Sequence, residues 1–206
     1  MKTLTLAAIL CTFAGASLAC DKPAFGSKFT GTILSKPDQK LFSEALLLAT
    51  NYERCKVGKA SLGTHATLRK AALIHSRNMA KTKVFSHKSR AGNARTVKDR
   101  AKLANLKWRW LGENIALQNR FRFGNRVPFR IVDQAACKFT NSKTGKPIVA
   151  HTYASLAKDV TASWMASKGH RENIQSRYAG RMAAALVFDE TAPNCGKIYI
   201  TQVFSN

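Results

Sequence analysis

Five histidines, five cysteines and eleven acidic side chains are the groups in this 206-residue chain with the chemistry to bind a metal, move a proton or attack a substrate. A neutral imidazole is a good ligand for zinc, and a nearby carboxylate can ligate or orient a bound water. A carboxylate can also serve as a general base. No nucleophile is recognisable, because neither Gly-x-Ser-x-Gly nor His-Glu-x-x-His occurs. His75 falls on the apolar side of a helical pattern and reads as a core or supporting residue, while His65 and His151 fall in expected loops, where exposure is the default. The acids are outnumbered: 34 Lys and Arg against 11 Asp and Glu give 34 − 11 = +23. Ten of the basic residues lie between Lys81 and Trp110, where Asp99 is the single acid. Such a chain should adsorb to anionic lipid headgroups, polysaccharide or extracellular DNA, with affinity that falls as salt rises. No motif for sequence-specific nucleic-acid reading is present.

The elements that must position these groups are those of a folded domain. Hydrophobic residues make up 45% of the chain and charged residues 22%, too apolar for disorder despite the charge. No repeat and no Gly or Pro bias suggests a solenoid or fibre. Met1-Lys2, the apolar run Leu4 to Ala14 and the small residues Ser17 and Ala19 predict a signal peptide over 1–19, hence a secreted or periplasmic protein. Its removal leaves 33 − 11 = +22 and four cysteines, Cys20, Cys55, Cys137 and Cys195. In an oxidising compartment these suit two disulfides, with three pairings open. The alternative is a lipoprotein anchored through Cys20, which directly follows Leu18-Ala19.

A basic arm covers 20–37, and a single domain is expected over 38–206. Asp38 can cap a helix with Leu41, Phe42, Ala45, Leu48, Ala49 and Tyr52 at helical spacing, ending near Gly58. Thr67 can cap a second, with Leu68, Ala72, His75 and Met79 on one face. A third runs from Ser155 to Ser167, with Leu156, Val160, Ser163 and Trp164 in register. Ala183 to Phe188 and Lys197 to Phe204, flanking Pro193-Asn194-Cys195-Gly196, read as two strands around a turn. A basic insertion occupies about 119–154, where Arg120, Arg122, Arg126, Arg130, Lys138, Lys143 and Lys146 face Asp133 alone. Its Phe121, Phe123 and Phe129 alternate with arginines, which suits either a flap for an anionic or aromatic partner or a hairpin tied down at Cys137 whose rings pack on the body.

Three stretches in order carry a resemblance. Leu68 to His87 (LRKAALIHSRNMAKTKVFSH) comes first, then Leu111 to Ala116 (LGENIA) preceded by Asp99-Arg100, then Ser163 to Ile174 (SWMASKGHRENI) followed by Tyr199 to Phe204 (YITQVF). Together the chain resembles the CAP superfamily, the SCP-like group of cysteine-rich secretory, antigen 5 and pathogenesis-related 1 proteins. The Gly-His-Arg-x-Asn-Ile form is similar to its bacterial extracellular branch. The resemblance implies an α+β fold, a three-layer α-β-α sandwich with a central antiparallel sheet. It also implies a cleft of two histidines and two acids. His87, Glu113 and His170 match three of the four, and the second acid falls near Ser167. Asn114, Arg171 and Gln202, from the same motifs, complete the cleft candidates with Ser167. Arg100, by its place in the motif, should pair with a carboxylate or a backbone carbonyl. Trp108 and Trp110 read as core or cleft wall.

Two readings of the cleft follow. His87, His170 and Glu113 would hold a divalent metal such as zinc, with Glu113 as general base if the site is hydrolytic. Alternatively they form a buried hydrogen-bonded cluster that fixes loops over the sheet. The expected function is an exported, non-enzymatic binding or interaction domain with a basic surface for anionic partners. The alternative is a metal-assisted hydrolase acting on envelope or host polymers. Lipid or sterol binding, known in the superfamily, is a further implication of the resemblance.

Overall fold

The computed structural model describes residues 20–33, 36–90, 92–124 and 128–206. The signal peptide expected over 1–19 and Arg126 of the insertion lie outside them. Helix α1 (Gln39–Cys55) starts where Asp38 accepts hydrogen bonds from Lys40 N (2.9 Å) and Leu41 N (3.0 Å). It turns Phe42, Ala45, Leu46 and Ala49 inward. Leu48, expected on that face, is 39% exposed, because Leu46 occupies the buried position. Helix α2 (Ala66–Thr82) is capped by His65, whose side chain accepts from Thr67 N; Thr67, the expected cap, lies in the first turn with its hydroxyl on His65 Nδ1.

Helix α3 (Val97–Leu103) was not legible in the periodicity and is closed by a reciprocal capping box between Thr96 and Asp99. Helix α4 (Tyr153–Ala166) begins two residues before Ser155, since Thr152 and Ser155 form a second capping box. Helix α5 (Lys168–Ile174) follows at once.

Strands β1 (Leu111–Asn119), β4 (Arg181–Asp189) and β5 (Lys197–Ser205) form an antiparallel sheet in the order β1-β5-β4, with Glu113 opposite Val203 and Asn114 opposite Gln202. Alternation along the strands divides the core. Ala183, Ala185 and Val203 pack with Leu68 and Ala72 of α2 and Ala101 of α3. Met182, Ala184, Leu186, Ile198, Ile200 and Phe204 pack on the opposite face with Phe42, Leu46, Leu156, Val160 and Trp164 of α1 and α4. This is the α-β-α sandwich expected from the resemblance. The β4–β5 turn needs its glycine: Gly196 has φ +111, and a Cβ there would lie 2.5 Å from the Phe188 ring.

The insertion forms a two-stranded hairpin, β2 (Phe129–Asp133) with β3 (Lys138–Asn141). Phe121, Phe123, Phe129 and Phe139 pack on one another with centroids 4.4–6.2 Å apart, so the hairpin carries a small aromatic core of its own. The disulfides are Cys20–Cys55, holding the N-terminal arm to the end of α1, and Cys137–Cys195, holding the hairpin to the β4–β5 turn. The arm also buries Phe29 and Ile33 in the core. His151, expected to be exposed in a loop, is buried. Its backbone joins the arm at Ile33 to the insertion at Arg120, and its ring meets Ser155.

Candidate functional site

The site is built around the free edge of β1. Alternation places Glu113 on the α2–α3 side and Asn114 on the α1–α5 side of the same strand. The edge carbonyls, which no strand covers, are taken by side chains: Asn173 Nδ2 donates to Glu113 O (3.0 Å) and Trp164 Nε1 donates to Ile115 O (2.9 Å). Gly112 lets these layers close, since a Cβ there would lie 2.8 Å from the Trp110 ring and 3.0 Å from Asn173 Oδ1.

Glu113 is buried with both carboxylate oxygens engaged. Arg100 Nη2 donates to Oε2, and His87 Nδ1 lies 2.9 Å from Oε1. Arg100 is itself fully buried, and its guanidinium also donates to the carbonyls of His87, Ala94 and Arg95 and to Ser89 Oγ. It thus meets a carboxylate and backbone carbonyls together. Because a guanidinium only donates, Ser89 accepts from Arg100 and has its own proton to offer His75 Nδ1, 3.0 Å away. His75 Nε2 then lies 3.8 Å from Glu113 Oε1, too far for a hydrogen bond. His75, Ser89, Arg100, Glu113 and His87 form one polar cluster between α2, α3 and β1.

Electrostatics follow from this packing. Burial pushes the Glu113 pKa up, but the His87 hydrogen bond and the Arg100 charge outweigh it and hold the carboxyl below its ordinary value. Burial drives the His75 imidazole down to about 4 against the opposing pull of Glu113. His170 is lowered by partial burial and then by the nearby His87.

The two cleft histidines come together from opposite sides of the β1 edge. His87 sits in the loop after α2 and is exposed, His170 sits on α5, and their ring centroids are 6.3 Å apart. If His87 Nδ1 carries the proton toward Glu113, Nε2 keeps its lone pair. The other motif residues divide. Asn114 and Gln202 are buried and bonded to each other (3.1 Å), and a chain runs on from Gln202 to Thr50 on α1 and from Asn114 to the His170 carbonyl. Arg171 turns back to Met165 O (2.7 Å), and Ser167 joins α4 to α5. Asn114 and Gln202 therefore brace the cleft from beneath, and Arg171 braces its helices.

A divalent ion of the kind the resemblance implies would find two imidazoles but no free carboxylate. Glu113 is spent on Arg100 and His87, and Ser167 offers only a hydroxyl. Among the described residues no three His, Cys, Asp or Glu side chains are placed to hold a metal together. The arrangement fits a two-imidazole site with Glu113 as an outer partner of His87, and not a site of three or more protein ligands.

Solved structures of bacterial extracellular and surface proteins share this architecture. The chain is similar to an extracellular protein containing an SCP domain from Bacillus anthracis, with a TM-score of 0.57 and 20% identity over 85% of this chain and 45% of that one. It is also similar to an outer surface protein from Borrelia burgdorferi, with a TM-score of 0.55 and 13% identity over 83% of this chain and 97% of that one. The chain thus has the fold of the bacterial SCP/CAP domains, while spanning less than half the length of the Bacillus protein. No family model and no curated protein matches the sequence.

Proposed function

We propose that this chain is an exported binding protein of the SCP/CAP fold that engages anionic polymers or headgroups through its basic surface, with the Glu113 cluster as internal scaffold. One observation carries the reading. Among the described residues only Lys28, Lys56, Lys83, Arg100 and Arg122 reach a carboxylate, so most of the described Lys and Arg side chains are left without an internal counter-charge. Export is supported by the signal-like N-terminus and by two disulfides, which persist in oxidising compartments. The Cys20 sulfur is bonded to Cys55, which speaks against the lipid anchor. No described helix is long and apolar enough to cross a membrane.

Dextran sulfate binding of the mature chain tests this. Affinity should fall linearly on a log-log plot as NaCl rises, with release well below about 1 M; retention surviving about 1 M salt would contradict charge-driven binding.

A second reading rests on the facing imidazoles of His87 and His170, which favour a divalent ion such as zinc held between them. Such an ion would supply Lewis acidity, and Glu113 would orient His87; the Arg100 ion pair weighs against Glu113 acting as a general base.

A further inference from the structure

Beyond the histidine cleft, the insertion and α4 enclose a second concavity of about 790 Å³, open along one side. The far end of β1 closes it with Gln118 and Asn119, and the exposed face of α4 gives it a floor of small residues, Ala162, Ser163 and Ala166. Its volume lies in the range of small-ligand sites, about 300–1,000 Å³, yet its walls are unlike the apolar lining usual for them. The side chains of Gln118, Asn119 and Ser163 have no hydrogen-bond partner among the described residues. Each amide presents a donor and an acceptor together. Val149 on the outer wall is 60% exposed, and Phe121, whose backbone bridges to the neighbouring Ala150, lines the same concavity.

Charge plays a small part here. Arg122 is paired with Asp159 at 3.2 and 3.4 Å, leaving Lys146 as a cation without a carboxylate partner among the described residues. Catalysis is not built in either. His151, Ser155 and Asp159 have the residue types of a hydrolytic triad, but Ser155 Oγ (3.2 Å) and Asp159 Oδ2 (3.9 Å) both approach the same Nδ1, and Ser155 Oγ is already held in the α4 capping box. The result is an open trough of unpaired amides and a hydroxyl alternating with apolar patches. That lining suits a molecule bearing many hydroxyls around apolar ring faces, and it offers little to a lipid chain or a polyanion.

We propose that this groove binds a short neutral oligosaccharide, a few pyranose rings long. The site is independent of the charge-driven binding proposed above, and the test separates them. Mature protein is titrated with chitohexaose and with cellohexaose in about 0.5 M NaCl, where adsorption to the basic surface is screened. Saturable binding of either hexamer is expected, weakened at least about tenfold by Ala162→Trp, which fills the floor from an exposed helical position, and also by Asn119→Ala, while His170→Ala leaves it unchanged. Circular dichroism and the melting temperature confirm that each variant is folded. Binding of neither hexamer, or binding indifferent to both groove substitutions, overturns the proposal. So does saturable binding of oleate, abolished by Ala162→Trp, in a protein that ignores both sugars.

Discussion

Replacing Arg100 with methionine is expected to cost the fold about 3–5 kcal/mol, the range for breaking a buried ion pair from one side. The side chain is fully buried and makes five hydrogen bonds, to Glu113, Ser89 and the carbonyls of His87, Ala94 and Arg95. Methionine fills much of the volume but leaves the Glu113 charge without its partner in a site that excludes water. It also orphans the His87 and Ala94 carbonyls in the segment between α2 and α3, whereas Arg95 O keeps its hydrogen bond from Ser89 N. A lysine should rescue little, since a single ammonium cannot span the carboxylate and the carbonyls as the guanidinium fork does. Adding Glu113→Gln to the methionine variant should recover part of the loss, because the uncompensated charge disappears. Urea unfolding of the four proteins measures each step. A cost for Arg100→Met below about 1 kcal/mol would mean that the cluster does not hold the loops over the sheet.

Acid should weaken the protein from about pH 6.5 downward. His75 and His151 are both buried, and burial holds each imidazole at about 4, against an ordinary 6.5. Between those values the unfolded chain binds a proton at each site that the folded chain refuses. The unfolded state holds more protons in this range, so the stability that these two histidines govern is retained above pH 6.5, falls as pH drops toward 4, and levels off below. Each histidine contributes about 3 kcal/mol to the fall, a large share of the total stability of a domain this size. Glu113, whose pKa is lowered, contributes a further loss that begins near its ordinary 4.5 and continues to lower pH. Urea midpoints taken from pH 7 to pH 4 check the trend, and His151→Gln should remove about half of it. A flat stability profile from pH 6.5 to 4.5 would contradict the burial of neutral imidazoles.

The motifs exposed one part of this site and concealed another. His87, Glu113 and His170 were legible through the resemblance of their three stretches to the superfamily's motifs and not through their spacing, and the disposition of Arg100 was likewise implied by its place in the resembling motif. Ser89 was not. It meets His75 fourteen residues away only because the loop after α2 folds back over the helix, and no periodicity marks that return. Strand β1 was hidden for a related reason: Glu113 and Asn114 are buried on opposite faces of it, so the alternation of apolar and polar residues that announces a strand is absent. Helix α3, seven residues long, is too short to show a period and is recognisable only by its Thr96–Asp99 box. In the insertion the alternation of Phe and Arg was visible and suggested rings turned to a partner or packed on the body, whereas the β2–β3 pairing packs them on one another. Pairing of the four cysteines likewise required the return of the β4–β5 turn to the hairpin.

The most direct test of the account is the affinity for dextran sulfate of the double variant His87→Ala/His170→Ala beside the wild type, at one low salt concentration. His87 is exposed and His170 partly so, and neither substitution removes a Lys or Arg, so the positive field is preserved, and a melting curve checks that the variant stays folded once Glu113 loses its His87 partner. Affinities within about twofold of each other are expected, because binding belongs to the basic surface and not to the cleft. A loss of more than about tenfold would contradict it and move the binding site to the paired imidazoles.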